Sequence, residues 1–184
     1  MVIVIGATGF IGMYTVKAFL AAGKKVIATG RNEVLGKKLV SMGAEFIKLD
    51  ITNKNEFNKL PTDDVEGIIL LAGLLPANAK ADLDKNENAE EYFKVNVQGT
   101  INVLEYCRKN GIKKVISNCS YSDVSGAWGK KYPITEDEPR NFKFTGDHAV
   151  YVISKNAAND VMEYYNQQHH MPVSYTHLTL PTIL

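Results

Sequence analysis

The segment Val2-Ile3-Val4-Ile5-Gly6-Ala7-Thr8-Gly9-Phe10-Ile11-Gly12 constrains the fold more than any other part of the chain. Four β-branched residues run into three glycines spaced by three. An apolar-periodic segment follows at Phe10, Ile11, Tyr14, Val16, Phe19 and Leu20. That order predicts a buried strand, a tight turn and a helix. Glycine tolerates positive φ and carries no Cβ, so a backbone built this way approaches a phosphate closely. Free N–H groups and the positive end of the helix dipole then face the anion. A glycine triplet alone is a weak signal; placed between a strand and a helix it is a strong one.

The same alternation continues along the chain. Lys25–Gly30, Ala44–Leu49, Glu66–Leu71 and Lys114–Asn118 read as further strands. Residues 32–42, Asn53–Leu60, Ala89–Lys109 and His148–His169 read as helices, with Gly23, Gly43 and Gly111 as stops. Asn53 and Glu56 have the spacing of an approximate capping box, and Asp147 is positioned to cap the last helix. Residues 77–88 are polar and loop-like. Residues 121–148 show little periodicity, and a loop of that length inside a compact domain is usually functional. Strands alternating with helices imply right-handed crossovers and an α/β, Rossmann-type doubly wound parallel sheet. Ligands of such sheets bind beyond the carboxyl ends of the strands. Gly6–Gly12, Arg31, Asp50, Ala72–Gly73 and Ser120 all follow strands, so the topology gathers them on one edge.

Composition narrows the class. The 184 residues are 45% hydrophobic with a formal net charge of +1. That balance offers nothing for nucleic acid or an anionic membrane surface, and no apolar run approaches a membrane span. Strand-like residues from Val2 onward leave no room for a signal peptide. Cys107 and Cys119 lack metal-like spacing and read as reduced core thiols, so a cytoplasmic location is expected. His169 and His170 read as solvated helix-end residues; no metal site is expected.

Tyr151-Val152-Ile153-Ser154-Lys155 sets a phenol and an ammonium at i and i+4, on one helix face. A nearby cation favours the phenolate and is expected to lower the tyrosine pKa toward a working range. Ser120 follows the fifth strand and is placed to hold a substrate hydroxyl or carbonyl beside that phenol, with Ser122 as a second candidate. By itself Tyr-x-x-x-Lys is common by chance; after the glycine turn and with Ser120 upstream, it reads as a catalytic set.

Taken together, these motifs resemble the extended short-chain dehydrogenase/reductases of the NAD-dependent epimerase/dehydratase family. Gly-Ala-Thr-Gly-Phe-Ile-Gly at 6–12 is similar to the family's cofactor turn. Asp50-Ile51 matches its adenine-side acid, and Leu71-Ala72-Gly73 its motif after strand four. Asn96-Val97-Gln98-Gly99-Thr100 matches its central-helix asparagine motif, Cys119-Ser120 stands where Ser-Ser is usual, and Tyr151…Lys155 matches the catalytic pair. The resemblance implies a nicotinamide cofactor held by Gly6, Thr8, Gly9, Phe10, Ile11, Gly12, Arg31, Asp50, Ile51, Leu71, Ala72, Gly73, Asn96, Tyr151 and Lys155. It implies hydride transfer on a nucleotide sugar or related carbonyl or alcohol. Tyr151 would serve as acid/base, Lys155 would bind the nicotinamide ribose and tune Tyr151, and Ser120 would orient the reacting oxygen. Asn96 fits a structural role equally well. A homodimer through a four-helix interface is implied for Ala89–Lys109 and His148–His169. A non-catalytic NAD(P)-binding sensor or scaffold is the competing reading.

Two departures matter. The tip of the second strand carries Gly30 and Arg31 where an NAD-preferring fold places an acid. Arginine pairs bidentately with a phosphate, which favours NADP over NAD. The Tyr121–Gly129 loop departs from the usual Tyr-Gly and leaves the substrate open; Asp123 within it is a candidate for the extra acid of a dehydratase.

The final residues read differently. Val173–Thr182 back-translates without strain to the mosaic-end adapter of transposase-based sequencing libraries. The expectation is therefore a Rossmann domain at 1–172, incomplete at its C-terminal edge and lacking the substrate domain, with 173–184 a non-native tail. That would leave a sheet edge poorly paired. The competing reading is a native sixth strand beginning at Met171-Pro172-Val173-Ser174.

Overall fold

The computed structural model describes residues 1–76, 89–135, 138–142, 144 and 149–176. Six strands form one parallel sheet: β1 Val2–Ile5, β2 Val26–Gly30, β3 Glu45–Lys48, β4 Gly67–Leu70, β5 Val115–Asn118 and β6 Val173–Thr176. Their order is β3-β2-β1-β4-β5-β6. The order reverses direction between β1 and β4, the switch point at which such folds bind ligands.

The helices are α1 Phe10–Ala21, α2 Glu33–Ser41, α3 Ala89–Tyr92, α4 Gly99–Lys109 and α5 Ala149–His169. α1 and α2 pack Val16 and Leu39 on Val2, Val4, Val26 and Ala28. On the opposite face, α4 and α5 pack Val103, Leu104 and Met162 on Ile3, Ile5, Ile68 and Val115. The central strands thus bury both faces, and β1 is a continuous run of β-branched residues for that reason. Each such side chain removed from water contributes about 1.5–3 kcal/mol. The edge strand β3 instead exposes Glu45 and Lys48, charges that discourage edge-to-edge pairing.

Several expectations need correction. Phe10 and Tyr14 are 80% and 59% exposed and stack edge-to-face outside the core; in α1 only Gly12 and Val16 are buried. Ala89–Lys109 is interrupted by a π-helical segment, Phe93–Gln98, between α3 and α4. The wider turn offsets the helix, so Asn96 faces inward with Tyr92 while Phe93 is 40% exposed. The Asn53–Leu60 helix is a 3₁₀ segment, Lys54–Lys59. Its capping box does not close: the Asp50 N–H donates to Glu56 Oε2 at 2.8 Å, while the Asn55 N–H donates to Asn53 Oδ1 at 3.1 Å. Within 121–148, Tyr121–Ala127 forms a kinked 3₁₀ segment. Asp147 and residues 77–88 lie outside the described residues, and the last helix is described from Ala149.

The sheet continues four residues beyond residue 172. β6 pairs in parallel with β5 from Val115↔Val173 to Asn118↔Thr176, and Val173 is 7% exposed. The β5 edge is therefore covered along β6 and is not the poorly paired edge expected. A Val-Ser-Tyr-Thr run has the propensity to add to an open strand whatever its origin.

Candidate functional site

The glycine turn is shaped by contacts that leave no room for side chains. Gly6 adopts φ +89, and a Cβ on it would stand 2.5 Å from the Ala72 nitrogen. A Cβ on Gly12 would overlap the Gly6 carbonyl oxygen and come within 2.7 Å of Ala7 Cα. The first and third glycines thus let α1 and the segment after β4 close on the turn. Gly9 differs. It is the N-cap of α1, its side-chain position is not needed for capping, and a Cβ there would meet only the Gly6 oxygen, at 3.3 Å. No acidic residue stands in the first turn of α1, so nothing local opposes an anion at this helix terminus.

Above the turn lies a cleft of about 660 Å³. Gly6, Thr8, Gly9, Phe10, Ile11, Gly12, Arg31, Asp50, Ile51, Leu71, Ala72 and Gly73 line it, together with Ile5, Gly30, Leu49, Leu75 and Val95. The last five carry no polar side chain, so the motif reading had no signal for them. The Asp50 Oδ1 accepts from both the backbone N–H and the hydroxyl of Thr52, at 2.9 and 2.8 Å, which fixes the carboxyl at the cleft wall. Arg31 is exposed at the end of β2. A volume of this size, a backbone cradle and an uncapped helix terminus fit a phosphate-bearing nucleotide.

Asn96 does not line this cleft. Its Oδ1 accepts from the Leu74 N–H at 2.7 Å, and its Nδ2 donates to the Leu74 carbonyl and to Ser154 Oγ, at 3.2 and 2.9 Å. Both its Nδ2 hydrogens and its Oδ1 tie the strand-four loop to the helices, which gives it a part in shaping the cleft wall. The π-helical turn is what aims it inward.

Ser120, Tyr151 and Lys155 come together at the carboxyl end of β5. Ser120 is 8% exposed, Tyr151 7% and Lys155 8%. The Ser120 hydroxyl lies close enough to the Tyr151 phenol to favour its ionised form. Lys155 Nζ donates to the Asn118 carbonyl at 3.0 Å. Tyr151 packs with Leu74, Tyr92 and Val152, and Val95 joins this cluster to the nucleotide cleft. Tyr92 meets the Tyr151 ring edge-on at 6.2 Å. Its place four residues before Asn96, one helical turn, was the available sign that it shares the inward face.

The electrostatics correct one expectation. Burial pushes the Tyr151 phenol above its ordinary range; the Ser120 hydroxyl opposes that, and the Asp123 charge adds to it. Lys155 does not lower it, because the ammonium is turned to the Asn118 carbonyl. Burial in turn holds Lys155 below the usual lysine range, offset by Cys119 and Asp123. Ser122 belongs to the 3₁₀ segment after Ser120. Asp123 is 4% exposed, and its carboxylate accepts from Asn156 and Asn159 Nδ2, each at 3.2 Å. It is therefore held against α5, which does not suit the free acid of a dehydratase.

Cys107 and Cys119 are buried free thiols, pushed by burial to about 12 and about 11. His169 packs against the rings of Tyr164 and Tyr165. Among the described residues no group of three His, Cys, Asp or Glu side chains has the arrangement to hold a metal ion, and no helix is long and apolar enough to cross a membrane.

Comparisons with known proteins agree with this geometry. The model of the NAD dependent epimerase/dehydratase family matches residues 2–182. The UDP-glucose 4-epimerase of Mycolicibacterium smegmatis is 34% identical over 144 residues, covering 76% of this chain and 44% of the relative. That of Lacticaseibacillus casei is 30% identical over 142 residues, covering 74% and 40%. Among solved structures, the Thermus thermophilus UDP-glucose 4-epimerase complex with NAD superposes with a TM-score of 0.77 at 23% identity, covering 95% of this chain and 53% of that one. The chain thus spans about half the length of these relatives. The preference for NADP drawn from Arg31 finds no support in that NAD complex. A family match over nearly the whole chain, on a sheet of this order, makes the chain a member of the NAD-dependent epimerase/dehydratase family.

Proposed function

We propose that this chain carries the cofactor cleft and proton-handling residues of an NAD(P)-dependent enzyme acting on a nucleotide sugar, with 4-epimerisation the favoured reaction. The observation that carries this reading is the contact of Ser120 with Tyr151, beside Lys155, across Val95 from the glycine cleft. The relatives' action on UDP-glucose supports the substrate class.

In this reading the glycine turn binds the diphosphate of the cofactor, Asp50 and Ile51 flank its adenine side, and Arg31 selects at the ribose. When bound, the nicotinamide supplies a ring that accepts and returns a hydride. Tyr151 moves the proton at the substrate oxygen. Its raised pKa keeps the phenol protonated and ready to donate. In the reverse direction the Ser120 hydroxyl, donating to the phenol oxygen, stabilises the phenolate that must form. Lys155 supplies a buried positive charge one helical turn away, anchored on Asn118. Tyr92, Leu74 and Val95 keep water from the phenol. The outer faces of α4 and α5 are the surfaces through which two copies would pair.

The test is Tyr151→Phe, assayed with NAD and a UDP-hexose. Turnover should fall by about 10²–10⁴, with cofactor affinity unchanged. Undiminished turnover would refute the assignment of Tyr151. Both proteins are made at full length, and cofactor binding without turnover in that full-length parent would favour a binding or sensing role.

A further inference from the structure

Asp123 is a buried carboxylate whose location asks for an explanation. It lies in the 3₁₀ segment that begins directly after Ser120, and its backbone N–H donates to the Ser120 carbonyl at 3.0 Å. Its side chain crosses to α5, where Asn156 Nδ2 reaches Oδ1 and Asn159 Nδ2 reaches Oδ2. The arrangement is specific, because Asn156 gives up half its hydrogen-bonding capacity to it. Asn156 Oδ1 is buried with no partner among the described residues, and flipping the amide would turn that oxygen against the carboxylate. The carboxylate and the Val152 carbonyl, which takes the other Nδ2 hydrogen at 3.0 Å, together dictate the orientation despite an orphaned acceptor.

We propose that Asp123 is a positioning residue that fastens the Ser120 segment onto the helix carrying Tyr151 and Lys155. The proposal rests on the reading of Ser120 and Tyr151 as the proton-handling pair. Three ties then join the end of β5 to α5: Lys155 to the Asn118 carbonyl, the Cys119 thiol to Asn159 Oδ1 at 3.8 Å, and Asp123 to Asn156 and Asn159. Between them sits Ser120. Asn141 braces the segment from its other side, donating its N–H to the Asp123 carbonyl and accepting from Gly126. Without the carboxylate tie, the turn carrying Ser120 is held to α5 only through Asn118 and the long Cys119 thiol contact, both before Ser120 in the chain, and the hydroxyl loses its fixed place at the phenol. A carboxylate suits the task because each oxygen accepts, so both asparagines present donors to one group.

The test reads Tyr151 directly in the full chain labelled with tyrosine carbon-13 at the ζ position, its resonance assigned by its loss in Tyr151→Phe. Ser120→Ala defines the displacement that follows loss of the hydroxyl contact. Asn159→Ala keeps the Asp123 charge and removes the Asn159 donor together with the Cys119 thiol contact; Asn156→Ala keeps both the charge and the thiol contact, so movement of the resonance in both variants reports position rather than charge. Asp123→Asn removes the charge and replaces one of the two acceptor oxygens with a donor. All three are expected to move the Tyr151 resonance in the direction of Ser120→Ala, more in Asp123→Asn, while the far-ultraviolet circular dichroism stays native. The exchange Asp123→Asn with Asn159→Asp restores a donor–acceptor pair across the same gap and should return the resonance toward the parent. A folded Asn156→Ala, Asn159→Ala or Asp123→Asn protein with an unmoved resonance overturns the proposal, as does a folded exchange variant that stays displaced. No turnover is needed, so failure of the enzymatic reading leaves this test standing.

Discussion

The glycine turn makes a prediction with internal controls. Gly12→Ala would put a methyl group 2.7 Å from Ala7 Cα and 2.9 Å from the Gly6 carbonyl carbon. Ordinary carbon contacts lie at about 3.5–4.0 Å, so α1 must retreat from the turn by roughly 1 Å. The atoms in the way are backbone and cannot rotate aside. Overpacking of this kind costs about 1–3 kcal/mol, or roughly 2–12 °C in Tm for a domain of this size. The displaced helix terminus also carries the N–H groups offered to the phosphate, so cofactor affinity should fall with stability. Gly9→Ala is the control. Its Cβ meets only the Gly6 oxygen, at 3.3 Å, and the backbone there (φ −80, ψ 170) suits any residue. It should retain the parent's Tm within a degree or two yet bind cofactor more weakly, because the methyl group stands in the cradle. Thermal unfolding by circular dichroism and calorimetric titration with NAD and NADP measure both. A Gly12→Ala protein with parental Tm, or a Gly9→Ala protein destabilised as much as Gly12→Ala, would refute the reasoning.

Other consequences follow from individual contacts. Asn96→Ala removes three buried side-chain hydrogen bonds and should lower stability by about 2–4 kcal/mol, measured by urea unfolding; a loss below about 0.5 kcal/mol would contradict its bracing role. The Glu105 carboxyl accepts two bonds from Arg108 and one from Tyr165 on α5, which hold it at about 2 instead of 4.5. Because the folded value is depressed, its stabilisation is present above pH 4.5 and lost as pH falls toward 2, on the order of 2–3 kcal/mol. Glu105→Gln should flatten that part of the acid denaturation curve, and an unchanged curve would contradict the coupling. Arg31→Glu should weaken NADP about 10- to 100-fold, the worth of one charge-assisted hydrogen bond set, and leave NAD unchanged; an unaltered affinity ratio would mean that Arg31 is merely solvated.

What was legible in the sequence was periodic or obligatory. Apolar runs between glycines and polar residues located β1 to β5 to within a residue or two at each end, most plainly at β1 and β2, because a strand buried on both faces permits little else. The glycine turn was legible because only a residue without a side chain fits where Gly6 meets Ala72 and Gly12 meets Gly6. Ser120, Tyr151 and Lys155 were legible as residue types at meaningful spacing. Which groups those side chains touch was not. Lys155 turns to a backbone carbonyl, Tyr151 is governed by burial more than by its neighbouring cation, and Asn96 spends its amide on Leu74 and Ser154. The π-helical turn at Phe93–Gln98, which aims Asn96 inward, leaves no mark in an α-helical period. The partners of Asp123 stand 33 and 36 residues away on another element. Local rules govern backbone geometry and so can be read along the chain. Desolvation and long-range hydrogen bonds depend on which surfaces the sheet brings together, and only the folded chain decides that.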